Sequence, residues 1–259
     1  MIPKIIHYCW FGQAPMPAKV QMCIDSWKNV MPGYELFLWN EFNFDVKSVR
    51  FTSEAYSAKK FAFVSDYVRL HALKNYGGIY LDTDVEILKS LDDFLHHGMF
   101  LGFEEPFGGV ASCIIGSEKN HKLINILLEY YNNIGFIRED GSCHMQPNTI
   151  ILESLLKKLY GLSPGGQLQT LEDGICIYPS DYFHPMSLIS GKLVLTGNSH
   201  AIHHHTLLWV SKKTKIIKFI RQWLIVPLIG KEKYALVTAR LNNLRKSSAA
   251  HYQKDVQEV

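Results

Sequence analysis

The sequence contains few cysteines and no long apolar run, and both absences narrow the class of protein it encodes. Five cysteines are scattered along 259 residues without a C-x-x-C pair. We therefore expect neither a disulfide framework nor a zinc cluster, and a reducing compartment fits best. No segment has 18 uninterrupted apolar residues, so no transmembrane helix is predicted. The first residues also lack a basic stretch followed by an apolar one, and we expect no secretory signal.

Internal repeats, low-complexity segments and a disordered composition are absent as well. With 47% hydrophobic and 20% charged residues, the chain has the composition of an ordinary globular protein with ample core. Charge is unevenly distributed, because residues 212–259 hold eleven Lys and Arg against three Asp and Glu, a net charge of +8, and the other 211 residues carry −5. We predict a main domain over residues 1–211 and a basic C-terminal segment over 212–259.

Strand-like and helix-like segments alternate along the main domain. Strands are predicted near residues 4–10, 34–39, 79–84, 99–103 and 175–178, with helical patterns between them. This alternation predicts an α/β fold with a mostly parallel central sheet flanked by helices.

Residues suited to ligand binding follow several of these strands. Trp10, Asp82, Asp84, Glu104 and Glu105 all stand at predicted strand ends. In parallel α/β sheets, ligands bind at the carboxyl ends of the strands. We therefore expect these side chains to border one site.

The most informative segment is residues 77–84, Gly-Gly-Ile-Tyr-Leu-Asp-Thr-Asp. The two glycines suit the end of a helix, where a positive φ is needed, and the next three residues are typical of a buried strand. In an extended chain Asp82 and Asp84 would point to the same side. Two carboxylates at a strand end suit Mg²⁺ or Mn²⁺, with coordination positions left for phosphate oxygens.

The same eight residues are compatible with a plain turn or with a different enzyme. A D-x-D sequence is common in turns, and a phosphatase could use Asp82 as a nucleophile. An EF-hand loop would need glycine at its sixth position, where this chain has Ile87. The preceding helix favours the metal site, because Asp66 and Arg69 are three residues apart and share a face.

The basic C-terminal segment is predicted to be helical and amphipathic. Apolar residues at 216, 217, 219, 220, 223 and 224 alternate with basic and polar ones. Such a helix can lie on an anionic membrane surface, with Trp223 near the headgroups. Alternatively, it packs on the main domain and its basic face is solvated.

Three separated motifs then carry a family resemblance. They are residues 2–12, residues 63–84 with the D-x-D sequence, and the late segment 201–209 with its three histidines. In this order they closely resemble the DXD sugar transferases of glycosyltransferase family 32. That family includes bacterial capsule and lipopolysaccharide enzymes and fungal mannosyltransferases, and it shares its catalytic core with the large clostridial glucosylating toxins. The resemblance implies a GT-A-type, Rossmann-like fold over the main domain.

The resemblance also implies roles for individual residues. Asp82 would reach the metal through water, whereas Asp84 would bind it directly. The implied metal ligands are Asp82, Asp84 and His204. The implied contacts to the nucleotide-sugar are Trp10, Phe11, Asp66, Arg69, Tyr80, Asp82 and Trp209. The catalytic set comprises Asp82, Asp84, Arg69 and one of Glu104 and Glu105, which could act as a nucleophile. One departure is Leu208, where the family usually has serine.

The function implied is a retaining, metal-dependent transfer of a hexose from a nucleotide-sugar to a saccharide or lipid-linked acceptor in surface polysaccharide synthesis. Mn²⁺ is favoured over Mg²⁺, and a UDP-sugar over a GDP-sugar. The expected setting is the cytoplasmic face of the cell membrane, with the basic segment on the anionic lipid surface and no nucleic acid partner. The alternatives are a metal-dependent phosphatase or sugar-phosphate hydrolase and a non-catalytic glycan-binding scaffold.

Overall fold

The protein is described from a computed structural model. The structure describes residues 1–104, 109–187 and 189–206, together with 219–220, 225–230, 233–234 and 236–238. Two compact units are distinguished, and the first comprises Met1–Met186 and the segment that starts at Leu193. Among these residues, no helix is long and apolar enough to cross a membrane. All five cysteines are free thiols.

The elements of the first half of the chain alternate as the sequence predicts. Helix and strand follow each other without a long structureless connection. The elements are β1 (Ile5–Cys9), α1 (Ala18–Val30), β2 (Glu35–Trp39), α2 (Arg50–Ser57), α3 (Phe61–Tyr76), β3 (Gly78–Leu81) and β4 (Val85–Ile87).

The second half is richer in short strands. Its two longer helices flank a loop that contains an isolated bridge between Ile137 and Cys143. The elements are β5 (Met99–Glu104), β6 (Gly109–Val110), β7 (Ile114–Ser117), α4 (Lys122–Asn132), α5 (Asn148–Tyr160), β8 (Gln169–Thr170), β9 (Ile175–Tyr178), α6 (Ser180–Phe183), β10 (Ala201–His203) and α7 (Val226–Ile229).

The predicted α/β class is confirmed, but the central sheet is mixed rather than mostly parallel. Its strand order is β2-β1-β3-β7-β5-β9-β8, with β6 beside β5. The pairs β1–β2, β1–β3 and β5–β9 are parallel, whereas β3–β7, β5–β7, β5–β6 and β8–β9 are antiparallel. The connection from β5 to β7 is too short for a crossover helix, so the two strands run antiparallel.

Hydrophobic clusters cover both faces of this sheet. Alternate residues of β3 divide between them, because side chains along a strand point to opposite sides. Tyr80 packs in the cluster with helices α2 to α5, while Ile79 and Leu81 pack in the other cluster with Trp27 of α1. The D-x-D sequence therefore follows a strand that is buried on both faces.

The two glycines end α3 in the way the sequence predicts. Gly77 has a φ of +67° and its N–H donates to the carbonyl of Leu73, and Gly78 has a φ of +104°. A Cβ at Gly78 would lie 2.6 Å from the carbonyl oxygen of Ile5 in β1. Glycine is needed here both for the backbone conformation and for the close approach of β1.

A separate two-stranded sheet joins the late segment to the strand that follows the D-x-D sequence. β10 pairs with β4 in antiparallel register, so that His203 lies opposite Val85 and Ile202 opposite Glu86. Residues more than a hundred positions apart are thereby brought together. This pairing assembles the candidate site.

Candidate functional site

The D-x-D sequence lies in a tight turn between β3 and β4. The N–H of Asp82 donates to the carbonyl of Cys113, 2.8 Å away, and the N–H of Val85 donates back to the carbonyl of Asp82 at 3.0 Å. The prediction of an extended chain through Asp84 is therefore wrong, because the strand ends at Leu81. The turn nevertheless brings both carboxylates to one site.

Arg69 is buried between two carboxylates. Its Nη2 lies 2.9 Å from Asp66 Oδ1 and 3.4 Å from Asp82 Oδ1, and its Nη1 donates to the carbonyl and hydroxyl oxygens of Ser112 at 2.9 and 3.1 Å. The guanidinium also lies over the ring of Tyr80, 4.4 Å from its centroid. Protein contacts thus occupy both terminal nitrogens of this side chain, and they fix it beneath Asp82.

Tyr80 orients the first aspartate of the motif. Its side chain is 2% exposed, and its hydroxyl donates to Asp82 Oδ1 at 2.8 Å. Because the ring is buried in the core, the phenol acts on the site through Asp82. Asp82 Oδ1 is therefore held by Tyr80 and Arg69 together.

Asp84 is held from the opposite side by the late segment. Its Oδ2 accepts hydrogen bonds from the N–H and the hydroxyl of Thr206, both at 2.8 Å, and its Oδ1 lies 3.3 Å from His203 Nε2. Burial disfavours the charged carboxylate, but the contacts from His203 and Thr206 outweigh it and hold the pKa of Asp84 well below its usual range. This carboxylate is ionised and ready to ligate a cation.

The three consecutive histidines lie at and just after the end of β10, and they have different partners. His203 faces Asp84, whereas the Nε2 of His204 lies 2.7 Å from Glu86 Oε2. His205, which has a φ of +48°, lies 4.0 Å from His203 between ring centroids. His204 follows the end of β10, and its ring contacts Glu86 and not the aspartates. The geometry therefore favours His203 over His204 as the ligand next to the D-x-D sequence.

Glu104 lies at the end of β5, beside the same histidines. Its Oε1 is 3.9 Å from His203 Nδ1 and 3.6 Å from His205 Nε2. Burial raises the pKa of the Glu104 carboxyl, and the nearby His203 only partly opposes this. Glu105, the other predicted nucleophile, lies outside the described residues, as does Trp209.

Trp10 and Phe11 follow β1 and have different environments. Trp10 is half-buried, and its Nε1 donates to the carbonyl of Ala14 at 2.6 Å. Phe11 is 6% exposed and packs edge-on against Phe44. Trp10 thus keeps surface for a ligand, whereas packing in the core accounts for Phe11.

A cation-binding set is present among the described residues. The set consists of one ligand atom from each of Asp82, Asp84 and His203, and these three atoms lie within 4.8 Å of one another. Carboxylate and imidazole ligands suit a divalent first-row ion, so the residues fit the metal implied by the motif. The contributions of His203, Thr206 and Ser112 were missed at the sequence level. For His203, the available signal was its place within the run of three histidines, residues 203–205.

Asp66 and Asp84, at the two ends of the site, should titrate at different pH values in the metal-free protein. Burial, together with the Asp82 carboxylate, raises the pKa of Asp66 to about 6 despite the Arg69 guanidinium, whereas the pKa of Asp84 is depressed. The stabilising contribution of Asp66 is therefore fully present below its ordinary value of 3.8 and is lost as the pH rises through about 6. Asp84 contributes stability above 3.8, which is lost as the pH falls through its low folded-state pKa.

Carboxyl carbon-13 NMR of the aspartates tests this expectation. We expect one aspartate signal to titrate near pH 6, and we expect this signal to be absent from the spectrum of Asp66→Asn. A second should remain ionised below pH 3.8 and vanish in Asp84→Asn. Titration of all aspartates close to the ordinary value would contradict the described environments.

Comparisons with known proteins bear directly on this site. Residues 17–101, which include the D-x-D turn and helix α3, match the family model described as a glycosyltransferase sugar-binding region containing a DXD motif. A mimivirus protein named uncharacterized glycosyltransferase L373 is 25% identical over 74% of this chain and 76% of its own length. The fission-yeast inositol phosphoceramide mannosyltransferase 3 is 31% identical over 48% of this chain and 35% of its own length.

Among solved structures, the PaToxG glycosyltransferase is similar with a TM-score of 0.46 and 20% identity, over 61% of this chain and 69% of that one. The chain spans about three quarters of the viral relative but only about a third of the fungal one. The matched sugar-binding region holds the carboxylate and guanidinium side of the site, namely Asp66, Arg69, Asp82 and Asp84. The sugar-binding region of this chain, residues 17–101, therefore matches that of the DXD glycosyltransferases, the group that its three motifs resemble.

Proposed function

We propose that the chain is a retaining transferase that moves a hexose from a nucleotide-sugar to a saccharide or lipid-linked acceptor, with the help of a divalent cation. The observation that carries the proposal is the convergence of Asp82, Asp84 and His203 at the end of β3. Next to them, Asp66 supplies a further polar group for the donor, and Arg69 holds it in place. These groups suit a diphosphate and a sugar ring better than a bare phosphate ester.

The cation would be held by Asp84, His203 and, directly or through water, Asp82. An imidazole in the ligand set suits a transition ion better than Mg²⁺, which supports Mn²⁺. When bound, the ion would neutralise negative charge that develops on the leaving nucleoside diphosphate. The protein itself keeps both carboxylates oriented, through Thr206 on Asp84 and Tyr80 on Asp82.

The donor would lie between Trp10 and helix α3. The half-buried indole of Trp10 can stack on a nucleobase, and we favour uracil over guanine. Asp66 would accept hydrogen bonds from hydroxyl groups of the donor sugar. Because Arg69 is engaged by Asp66, Asp82 and Ser112, its main task is to hold these groups in position.

Retention of anomeric configuration can follow two routes. A double displacement needs an ionised carboxylate beneath the anomeric carbon, and Glu104 is the described candidate. Its Oε1 faces the imidazoles of His203 and His205. We therefore favour attack on the same face as the departing diphosphate, with the acceptor hydroxyl as nucleophile.

The acceptor is proposed to be a saccharide or a lipid-linked saccharide of a surface polysaccharide. The fission-yeast relative is named for mannosyl transfer to inositol phosphoceramide, which is a lipid, and this supports a membrane-borne acceptor. The net charge of +8 over residues 212–259 supports binding of the enzyme to the anionic cytoplasmic face of a membrane.

Release of nucleoside diphosphate from a panel of UDP- and GDP-sugars tests the transferase. We expect turnover of one donor with Mn²⁺, and a loss in Asp84→Asn larger than the about 10- to 100-fold typical of an outer-shell partner. Asp93→Asn, which changes an exposed aspartate nearby, should keep wild-type turnover. Release of phosphate from sugar phosphates, without any nucleotide-sugar requirement, would instead identify a hydrolase.

The choice between the two histidines gives a second test. In the presence of UDP, Mn²⁺ binding followed by electron paramagnetic resonance should weaken at least about 10-fold in His203→Gln. His204→Gln should bind Mn²⁺ within about 2-fold of wild type, since its ring contacts Glu86 and not the aspartates. Equal losses in both variants, or a loss confined to His204→Gln, would contradict the assignment of His203.

Binding to lipid vesicles tests the membrane proposal. The protein should bind vesicles rich in phosphatidylglycerol and be released at about 1 M salt, where the Debye length is about 3 Å. Changing Lys212, Lys213, Lys215 and Lys218 to Gln should abolish most of this binding, at about 1 kcal/mol for each lysine. The matched control changes four exposed lysines elsewhere, namely Lys47, Lys59, Lys119 and Lys158. If both variants bind like wild type, the basic segment is not the anchor.

A further inference from the structure

A second group of metal-binding side chains lies directly behind the D-x-D turn. The group consists of one ligand atom from each of Cys113, His184 and His203, and these three atoms lie within 4.8 Å of one another. We refer to these three residues as the Cys113 cluster. The transfer reaction proposed above uses neither Cys113 nor His184.

The cluster is buried and closely packed. Cys113 is 4% exposed and His184 is 1% exposed. The two ring nitrogens of His184 lie 3.6 and 4.0 Å from Cys113 Sγ. A Cβ at Gly102 would lie 3.0 to 3.1 Å from the His184 ring, so the glycine in β5 allows this ring its position.

Three separate elements fix the three side chains. Cys113 precedes β7, and its carbonyl accepts the hydrogen bond from the Asp82 N–H. His184 follows α6, and its N–H donates to the carbonyl of Ser180 at 2.7 Å. His203 lies in β10. The donor atoms are therefore positioned by the fold, without help from a flexible loop.

Asp84 faces only one of the two ring nitrogens of His203. Its Nε2 faces Asp84 at 3.3 Å, while its Nδ1 makes no hydrogen bond within the described residues. A carboxylate on one ring nitrogen is the usual arrangement that orients an imidazole whose other nitrogen binds a metal. Asp84 can thus serve as the orienting group for His203.

We propose that the Cys113 cluster binds Zn²⁺, as a site distinct in chemistry from the carboxylate-rich site beside it. One thiolate and two imidazoles are ligands that Zn²⁺ prefers, whereas Mg²⁺ and Mn²⁺ prefer oxygen. Three protein ligands leave a fourth tetrahedral position open. On binding, the S–H bond of Cys113 breaks, a sulfur–zinc bond forms, the proton passes to the buffer, and no group is oxidised or reduced.

The shared histidine gives the zinc site a consequence for the neighbouring site. Zinc on His203 would compete with the cation that Asp82 and Asp84 hold, so Zn²⁺ should antagonise Mn²⁺. This consequence rests on the proposed transferase function, whereas zinc binding itself does not.

Cobalt(II) substitution tests the site without any turnover measurement. Added alone to the full-length metal-free protein, Co²⁺ should give a thiolate-to-cobalt charge-transfer band and tetrahedral ligand-field bands that saturate at one equivalent. Zn²⁺ should then remove these bands. In Cys113→Ser the charge-transfer band should be lost, and in His184→Gln Co²⁺ should bind at least about 10-fold more weakly.

Two control variants separate this site from other thiols and from the carboxylate site. Cys176→Ser removes another buried thiol, 3% exposed, and Asp82→Asn removes a ligand of the proposed Mn²⁺ site. Both should keep the charge-transfer band, provided that circular dichroism shows every variant to be folded. Should Cys113→Ser misfold, Cys113→Ala, which replaces the thiol by a small apolar side chain, gives the same information.

The proposal is overturned if wild type shows no thiolate band at excess Co²⁺, if the band persists in Cys113→Ser or Cys113→Ala, or if Zn²⁺ leaves the band unchanged. A band that is present in a protein that turns over no nucleotide-sugar would refute only the transferase proposal. Turnover without a band would refute only the zinc site.

Discussion

The buried guanidinium of Arg69 connects the helix before the glycine pair to the turn after it. A charge taken out of water is costly unless it is paired and hydrogen-bonded, and Arg69 meets this requirement with Asp66, Asp82 and Ser112. The position of Asp82 therefore depends on α3 as much as on its own strand. Removal of Arg69 would leave two carboxylates close together in a buried site. The main role of Arg69 is therefore to hold the carboxylates of the site in position.

The second connection is the pairing of β4 with β10. It brings the late segment to the D-x-D turn, so that Asp84 is held by His203 and Thr206. Asp82 and Asp84 are consequently fixed from opposite sides, one by the core helix and one by a strand from the far end of the sequence. Such support of both carboxylates keeps them in place before a cation or diphosphate arrives, which lowers the cost of organising the site on binding.

Local patterns predicted much of the fold and part of the site. The alternation of elements, the glycine cap and the i, i+3 pair of Asp66 and Arg69 are all present. The mostly parallel sheet was wrong, because strand direction depends on which distant strands pair. The late metal ligand was placed at His204, whereas in the structure His203 at the end of β10 faces Asp84 and His204 contacts Glu86.

By itself, the sequence determined the resemblance to the DXD sugar transferases, the α/β class and the two aspartates, because these depend on residue types at short, fixed spacings. Only the tertiary structure decided that protein groups occupy both terminal nitrogens of Arg69, which histidine faces Asp84, and that Cys113 meets His184 and His203. No C-x-x-C pair or other local spacing indicated that Cys113, His184 and His203, from three distant segments, would come together behind the turn. Such contacts arise from the packing of buried surfaces across the sheet, and no local spacing in the chain encodes them.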